Sequence, residues 1–296
     1  VAHTLYTPTQ AARATLESLK YLTNLPRTVR QDFSAEFVAG RGQTVNVIGP
    51  ISAGKAKIYT KANRDARAAI GFNDLTQTWF PVTLEDQVYN AVRLPDDFAT
   101  FTLTDLVKQV LRPQAESVVD ELAAPLIAEM TAITTDASIP AVDPDGSNFL
   151  QVLIKARQVL NERNVPAAGR TFAIGSDLEA AALQLTQLQK VNEAGNSDVL
   201  RNATLGRIMG FDIVAEAALP NDFGIAYTRD AFAHVTRPSR QPEGAAKSAT
   251  VAENGYALRW IQHYNPLQLE DQSVVDTFFG ATTLDADRAV SVTLGV

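Results

Sequence analysis

The chain contains no cysteine. That removes disulfides, thiolate nucleophiles and Cys-ligated zinc or iron–sulfur centres together, and leaves the redox compartment undetermined. Histidine is scarce, with His3, His234 and His263 the full set of 3, and their spacing forms no ligand or catalytic motif. There is no basic excess either. Lys and Arg number 26 against 33 Asp and Glu, a formal charge of -7, so the counterion release that drives non-specific DNA coating has little source. No apolar run approaches the roughly 20 residues a membrane-spanning helix needs, and residues 1–10 lack the basic and apolar regions of a secretory signal. These absences predict a soluble chain made in the cytosol. What is present is an ordinary globular balance, 46% hydrophobic and 20% charged over 296 residues, which excludes disordered and fibrous classes and suffices for one or two cores.

Along the chain, Ala12, Leu16, Leu19 and Leu22 recur at helical spacing and form a short amphipathic arm. Residues 25–42 carry no period and read as an extended lead-in lying along something else. Alternation at 44–48 and again at 55–59, around a Gly-Pro turn, predicts a hairpin-like excursion with a polar tip at 61–76. Strand character resumes over 79–92. Thr104 is a candidate N-cap for a helix that Pro113 should break or kink. A second helix follows with the longest apolar stripe in the chain, Val118, Val119, Leu122, Leu126, Ile127, Met130 and Ile133, kinked at Pro125.

Residues 139–146, with Pro140, Pro144 and Asp145-Gly146, form the clearest boundary. Beyond it, Ser147 or Asn148 caps a helix presenting Phe149, Leu150, Leu153, Ala156 and Leu160, ended by Val165-Pro166. Residues 170–175 read as a buried strand. Ser176 and Glu179 fit a capping box opening a helix to about Lys190. Strands are expected at 211–215, 224–227, 256–264 and 289–294, with a polar loop at 192–198 and an exposed, mobile loop at 237–249. The class is α+β, without a solenoid repeat.

Each chemical motif is incomplete. Gly49-Pro50-Ile51-Ser52-Ala53-Gly54-Lys55 satisfies G-x-x-x-x-G-K, but Ala56 stands where a phosphate loop needs Ser or Thr for magnesium, and a strand-like pattern follows instead of a helix. Ser52 to Lys55 also fits S-x-x-K, without its partner motifs. Asp143, Asp145 and Ser147 have calcium-loop spacing but no closing Glu, so a turn is the better reading. The pairs Glu85-Asp86, Asp96-Asp97 and Glu270-Asp271 are adjacent and point to opposite faces on a strand, which suits solvated surface rather than joint acid–base work. No catalytic, cofactor-binding or metal-binding residue is assigned. The arm and the polar-tipped loop cannot bury their apolar residues by themselves and should be stabilised by partner subunits.

Several stretches carry a family resemblance. Val165-Pro166 with Gly169-Arg170 and the following strand, Leu200 to Ile213 with its Gly206 and Gly210 turns, the exit Ala218-Leu219-Pro220, and the closing segments 264–280 and 289–294 together resemble the major capsid proteins of tailed phages with the Hong Kong 97-type fold. Glu216-Ala217 departs from the small polar residue often found before that exit. The resemblance implies an N-terminal arm at 1–40, an extended β-hairpin loop at 41–82, a peripheral domain with a long spine helix at 83–139 and 250–279, and an axial domain at 140–249 and 280–296.

It further implies a non-enzymatic structural protein. Copies assemble as hexamers and pentamers into an icosahedral head around double-stranded DNA, in the virion after assembly in the host cytoplasm, with scaffolding, portal and decoration proteins as possible partners and no membrane. Some relatives join a loop lysine to an asparagine, and Lys55, Lys57 and Lys61 lie in the matching region without an identifiable partner. An encapsulin-like nanocompartment is the same-fold alternative. A nucleotide-binding enzyme using Gly54-Lys55 is the alternative from another class, separated by an ATP-binding titration.

Overall fold

The computed structural model describes residues 25–31, 44–48, 53–76, 79–97, 106–185, 206–245, 247–253 and 256–295. The arm helix expected at 9–22, Thr104, and all of 186–205, with the loop expected at 192–198 and the first part of the Leu200 stretch, lie outside the described residues. In chain order, the elements begin with helix α1 (Leu25–Thr28), strand β1 (Thr44–Ile48), helix α2 (Lys61–Asp65) and strands β2 (Trp79–Thr83) and β3 (Asp86–Pro95). A π-helical turn, Val107–Leu111, leads into the long helix α3 (Arg112–Thr131), and α4 spans Phe149–Glu162. Then come β4 (Arg170–Ile174), α5 (Ser176–Leu183), β5 (Arg207–Ile208), β6 (Phe211–Ala215), β7 (Phe223–Thr228) and β8 (Phe232–Arg237). The chain closes with β9 (Lys247–Glu253), β10 (Tyr256–Asn265), β11 (Glu270–Thr283) and β12 (Ala289–Thr293).

Three sheets result. β1 pairs with β2, Thr44 opposite Thr83 and Ile48 opposite Trp79. The second sheet has the order β3-β11-β10-β9, all antiparallel. β11 is long enough for two partners end to end along one edge: β10 takes its residues 270–276 and β8 its residues 278–283. The third sheet runs β12-β7-β4-β6-β5, with β4 and β6 parallel.

α3 crosses between two cores. Val118 and Leu122 pack with Val88, Leu258, Trp260 and Val275 of the second sheet. One to two turns on, Leu126 and Met130 pack with Ala173, Ile225, Tyr227 and Ala289 of the third. The opposite face of that third sheet, Phe172, Ile174, Ala226 and Val292, is covered by Phe149, Leu153, Ala156 and Leu160 of α4 and by α5. This alternation along β4 follows from the two-residue period of a strand, and cores on both faces leave every residue of β4 buried.

Several expectations change. The returning strand of the excursion is β2, not 55–59: residues 53–60 have no ladder partner, whereas β2 buries Val82 beside Leu84, Ala233 and Val235. Pairing with β2 removes apolar surface from water, which pairing with 55–59 would not. Pro113 does not break the helix, because it sits in the first turn of α3, where its missing N–H has no intrahelical acceptor to disappoint. The Ser176–Glu179 capping box does not form. Gly175 is the N-cap, the Asp177 N–H donates to the Asn221 carbonyl at 3.0 Å, and α5 stops at Leu183. A Cβ on Gly175 would lie 2.1 Å from the Pro220 carbonyl oxygen, so a close crossing of chains has displaced the local rule.

The lead-in at 25–31 is not simply free to lie along a partner: Leu25 and Val29 are fully buried in this chain's own core. The loop expected at 237–249 is shorter, since β9 starts at Lys247. Leu150 is only half-buried, and the side chain of Val119 lies outside the described set. Among the described residues no helix is long and apolar enough to cross a membrane.

Candidate functional site

The largest departure from ordinary packing is the strap between β1 and β2. Every described side chain from 53 to 76 is exposed except half-buried Asn63. The exposed set includes Ile58 at 88%, Phe72 at 85% and Leu75 at 72% relative accessibility, with Ile70 between them. Large apolar side chains clustered in water mark an interaction surface more often than a bare loop does.

The strap nevertheless has internal order. Lys57 Nζ donates to the carbonyls of Gly71 and Phe72, each at 3.3 Å, and Asn73 Nδ2 donates to the Lys55 carbonyl at 2.9 Å. The Tyr59 hydroxyl lies 2.9 Å from the Asn63 carbonyl and 2.6 Å from that of Ala68, donating to one at a time. Thr60 caps α2 by accepting from the Asn63 N–H at 3.3 Å. Gly54 and Arg67 turn the backbone with φ of 72° and 46°. Side chain to main chain bonds therefore tie the outgoing limb to the returning one without a core, a geometry that sequence alternation alone mistakes for a strand.

A second exposed apolar feature sits at the β10–β11 turn. Leu267 is 92% exposed, and Leu269 is exposed with φ of 51°, in the left-handed region that a leucine rarely occupies. Asn265 holds the turn by accepting from the Leu267 N–H at 3.1 Å. At its base the Tyr264 hydroxyl donates to Asp96 at 2.9 Å, and that carboxylate pushes the phenol's pKa up. The sequence signal for this tip is the Pro266-Leu267-Gln268-Leu269 run between the polar ends of β10 and β11, a signal that strand periodicity does not pick out.

The incomplete motifs are dispersed. Lys55 is exposed in an extended segment, and the next helix opens at Lys61 with only five residues. No helix N-terminus follows Gly54-Lys55 as a phosphate loop requires. Asp143 and Asp145 form a turn. The Ser147 N–H donates to Asp145 Oδ1 at 3.0 Å and holds that carboxyl below its ordinary pKa, while the Ser147 hydroxyl donates to Asp143 Oδ2 at 3.2 Å. Glu270 faces Arg93 at 3.7 Å and Asp271 accepts from Gln262 at 3.1 Å, so that pair does split between faces. His263 is exposed on β10 whereas His234 is buried on β8. Among the described residues no group of three or more His, Cys, Asp or Glu is placed to hold a metal ion.

The sequence also gave no sign of a buried charge cluster below the 238–245 loop. Asp276, 1% exposed, accepts from Arg259 Nε and Nη2, both at 2.8 Å, from the Ser239 hydroxyl at 2.7 Å, and from Gln87. Arg259 Nη1 reaches on to the Arg240 carbonyl. This cluster fixes the loop to the sheet.

The two-sheet body, the long helix and the protruding strap define a fold found in phage capsid proteins. Among solved structures, the chain is similar to one from Mycobacterium phage Che8, with 16% identity, 91% of this chain and 90% of that chain covered, and a TM-score of 0.65. It is similar to the capsid structure of cyanophage P-SCSP1u, with 13% identity, coverage of 86% and 84%, and a TM-score of 0.59. A virus-like particle from Pyrococcus furiosus is a third, at 13% identity, coverage of 96% and 97%, and a TM-score of 0.54. No protein-family model and no curated protein matches the chain.

Proposed function

We propose that this chain is a major capsid protein of the Hong Kong 97-type fold, a structural subunit of which many copies close into an icosahedral head around double-stranded phage DNA. The observation that carries this reading is the strap: Ile58, Ile70, Phe72 and Leu75 sit on a cross-tied excursion with no core beneath it. Such a surface is stabilised when a neighbouring copy covers it. Similarity in fold to a phage capsid over 86% of the chain supports the same reading.

In this scheme residues 1–40 are the arm, 41–82 the extended loop, 83–139 and 250–279 the peripheral domain, and 140–249 and 280–296 the axial domain. The copies form hexamers and pentamers, and portal, scaffolding and decoration proteins are candidate partners. The protein acts in the virion, after assembly in the host cytoplasm. The acidic balance suits an inner wall that encloses DNA without adhering to it.

One observation favours a second reading, a nanocompartment shell holding protein cargo: the fold similarity to the Pyrococcus furiosus virus-like particle spans 96% of this chain. Electron microscopy of the purified protein, followed by analysis of particle contents, tests both. Closed shells are expected. Packaged DNA supports the capsid, packaged protein the compartment, and a chain that stays monomeric at high concentration overturns both.

A further inference from the structure

Two unusual residues lie where α3 passes from one core to the other, one on the helix and one against its Leu122 turn. Pro125 lies inside the helix, between Leu122 of the first core and Leu126 of the second. It gives no N–H to the preceding turn, which weakens the helix at that point. Opposite stands β8, whose Phe232 belongs to the second core while its strand is hydrogen-bonded to β11 of the second sheet. His234 is fully buried between them, its Nε2 lying 3.0 Å from the Leu122 carbonyl. A carbonyl only accepts, so Nε2 carries the proton. Nδ1 is then bare, and among the described residues it is buried without a partner.

We infer that this joint is an acid-released latch: protonation of His234 detaches α3 from β8 at the Leu122 turn and lets the two cores shift relative to each other while each stays folded. The second proton would sit on Nδ1, which is buried from water and has no acceptor among the described residues. An unpaired buried cation is expensive enough that the ring leaves its site or the site opens.

The charged residues on the surrounding elements offer no relief. On α3, Glu121 is exposed and Glu129 is engaged by the Thr283 N–H and hydroxyl at 3.1 and 2.6 Å. On β11, Asp276 is held by Arg259. Arg30, beside α1, meets His234 through its main-chain carbonyl, 3.0 Å from the His234 N–H, and Arg237 of β8 is itself cationic. Burial, outweighing the bond to the Leu122 carbonyl, accordingly lowers the His234 pKa from 6.5 to about 4. The sign follows: the open state binds the proton more readily, so the closed joint loses stability as pH falls from about 6.5 toward 4 and changes little above 7.

The test is hydrogen exchange of the full chain, expressed as protection factors so that intrinsic pH effects cancel. Between pH 7 and pH 4, protection around residues 122–126 and 232–236 should fall on the order of 100-fold, the ratio that a pKa difference of 6.5 to about 4 gives at pH 4. Protection in α4 and β4 should hold. His234→Gln, which keeps a donor for the Leu122 carbonyl but does not titrate in this range, should abolish the pH dependence. Because a variant can misfold, the wild-type imidazole is also titrated directly by NMR. A His234 pKa near 6.5, unchanged protection at pH 4, the same loss in His234→Gln, or uniform loss across the chain would each overturn the latch. The measurement reads the isolated subunit and stands whether or not the chain forms shells.

Discussion

Replacing Asp276 with Leu removes the acceptor at the centre of the charge cluster. Four donors converge on that carboxylate, two from Arg259 and one each from Ser239 and Gln87. Ser239 and Gln87 border the exposed loop and regain water, so the main cost falls on Arg259, whose side chain is 15% exposed. Leaving a largely buried guanidinium unpaired costs about 3 kcal/mol, the lower end of what breaking such pairs costs. With a urea slope of about 3 kcal/mol/M for a chain of this size, the unfolding midpoint should fall by about 1 M. Trp260, buried on the adjacent position of β10, reports the transition by fluorescence. Adding Arg259→Met removes the stranded charge. The double variant should therefore recover to within about 1 kcal/mol of the parent, because an apolar pair of similar volume replaces a buried ion pair with little loss. The reasoning fails if the double variant is as unstable as the two single losses added together.

Three further outcomes are expected. Leu122→Asp places an unpaired charge in the α3 stripe, 1% exposed, and should cost several kcal/mol, read as loss of the near-ultraviolet dichroism of the folded chain. Gly146→Ala should be poorly tolerated, since its Cβ would lie 2.0 Å from the Ala181 carbonyl oxygen at a φ of 71°; a melting temperature equal to the parent's would contradict the close approach. Trypsin should cut the unassembled chain at Lys61, Arg64 or Arg67 and spare assembled shells, because cleavage needs backbone opening that contacts between copies suppress; equal rates at sites mapped by mass spectrometry would remove the interlocking role.

Local pattern was readable where one element's burial follows its own period. The α4 face at Phe149, Leu153, Ala156 and Leu160 and the α3 positions Val118, Leu122, Leu126 and Met130 are buried as their spacing predicts. The strands β4, β6, β7, β10 and β12 fall where apolar runs placed them, within a residue or two. What escaped depends on distant partners. β11 interrupts its apolar residues with Ser273, Asp276 and Thr277, all buried and satisfied by Gln114, Arg259 and the Ala257 carbonyl, so its alternation does not look like a core strand. β8 hides a histidine in the same way. The capping box at Ser176 obeyed every local rule and lost to the Asn221 carbonyl, which the sequence does not place nearby. Of the candidate site, the strap's lack of a core of its own was legible from its composition, whereas its cross-ties and the leucine tip at 267–269 required geometry.

The pairing of β3 with β11, Val88 opposite Thr277, also governs the order of synthesis. On a ribosome adding about 5–20 residues per second, β3 waits roughly 10 to 40 s for β11, its ladder partner among the described residues, to emerge. The third sheet waits as well, since Val292 of β12 completes its edge beside Gly224. Both ladders join segments far apart in the chain, so these sheet edges close well after their first strand has been made. Until then, chaperones would meet this chain as an open edge strand and an uncovered helix stripe.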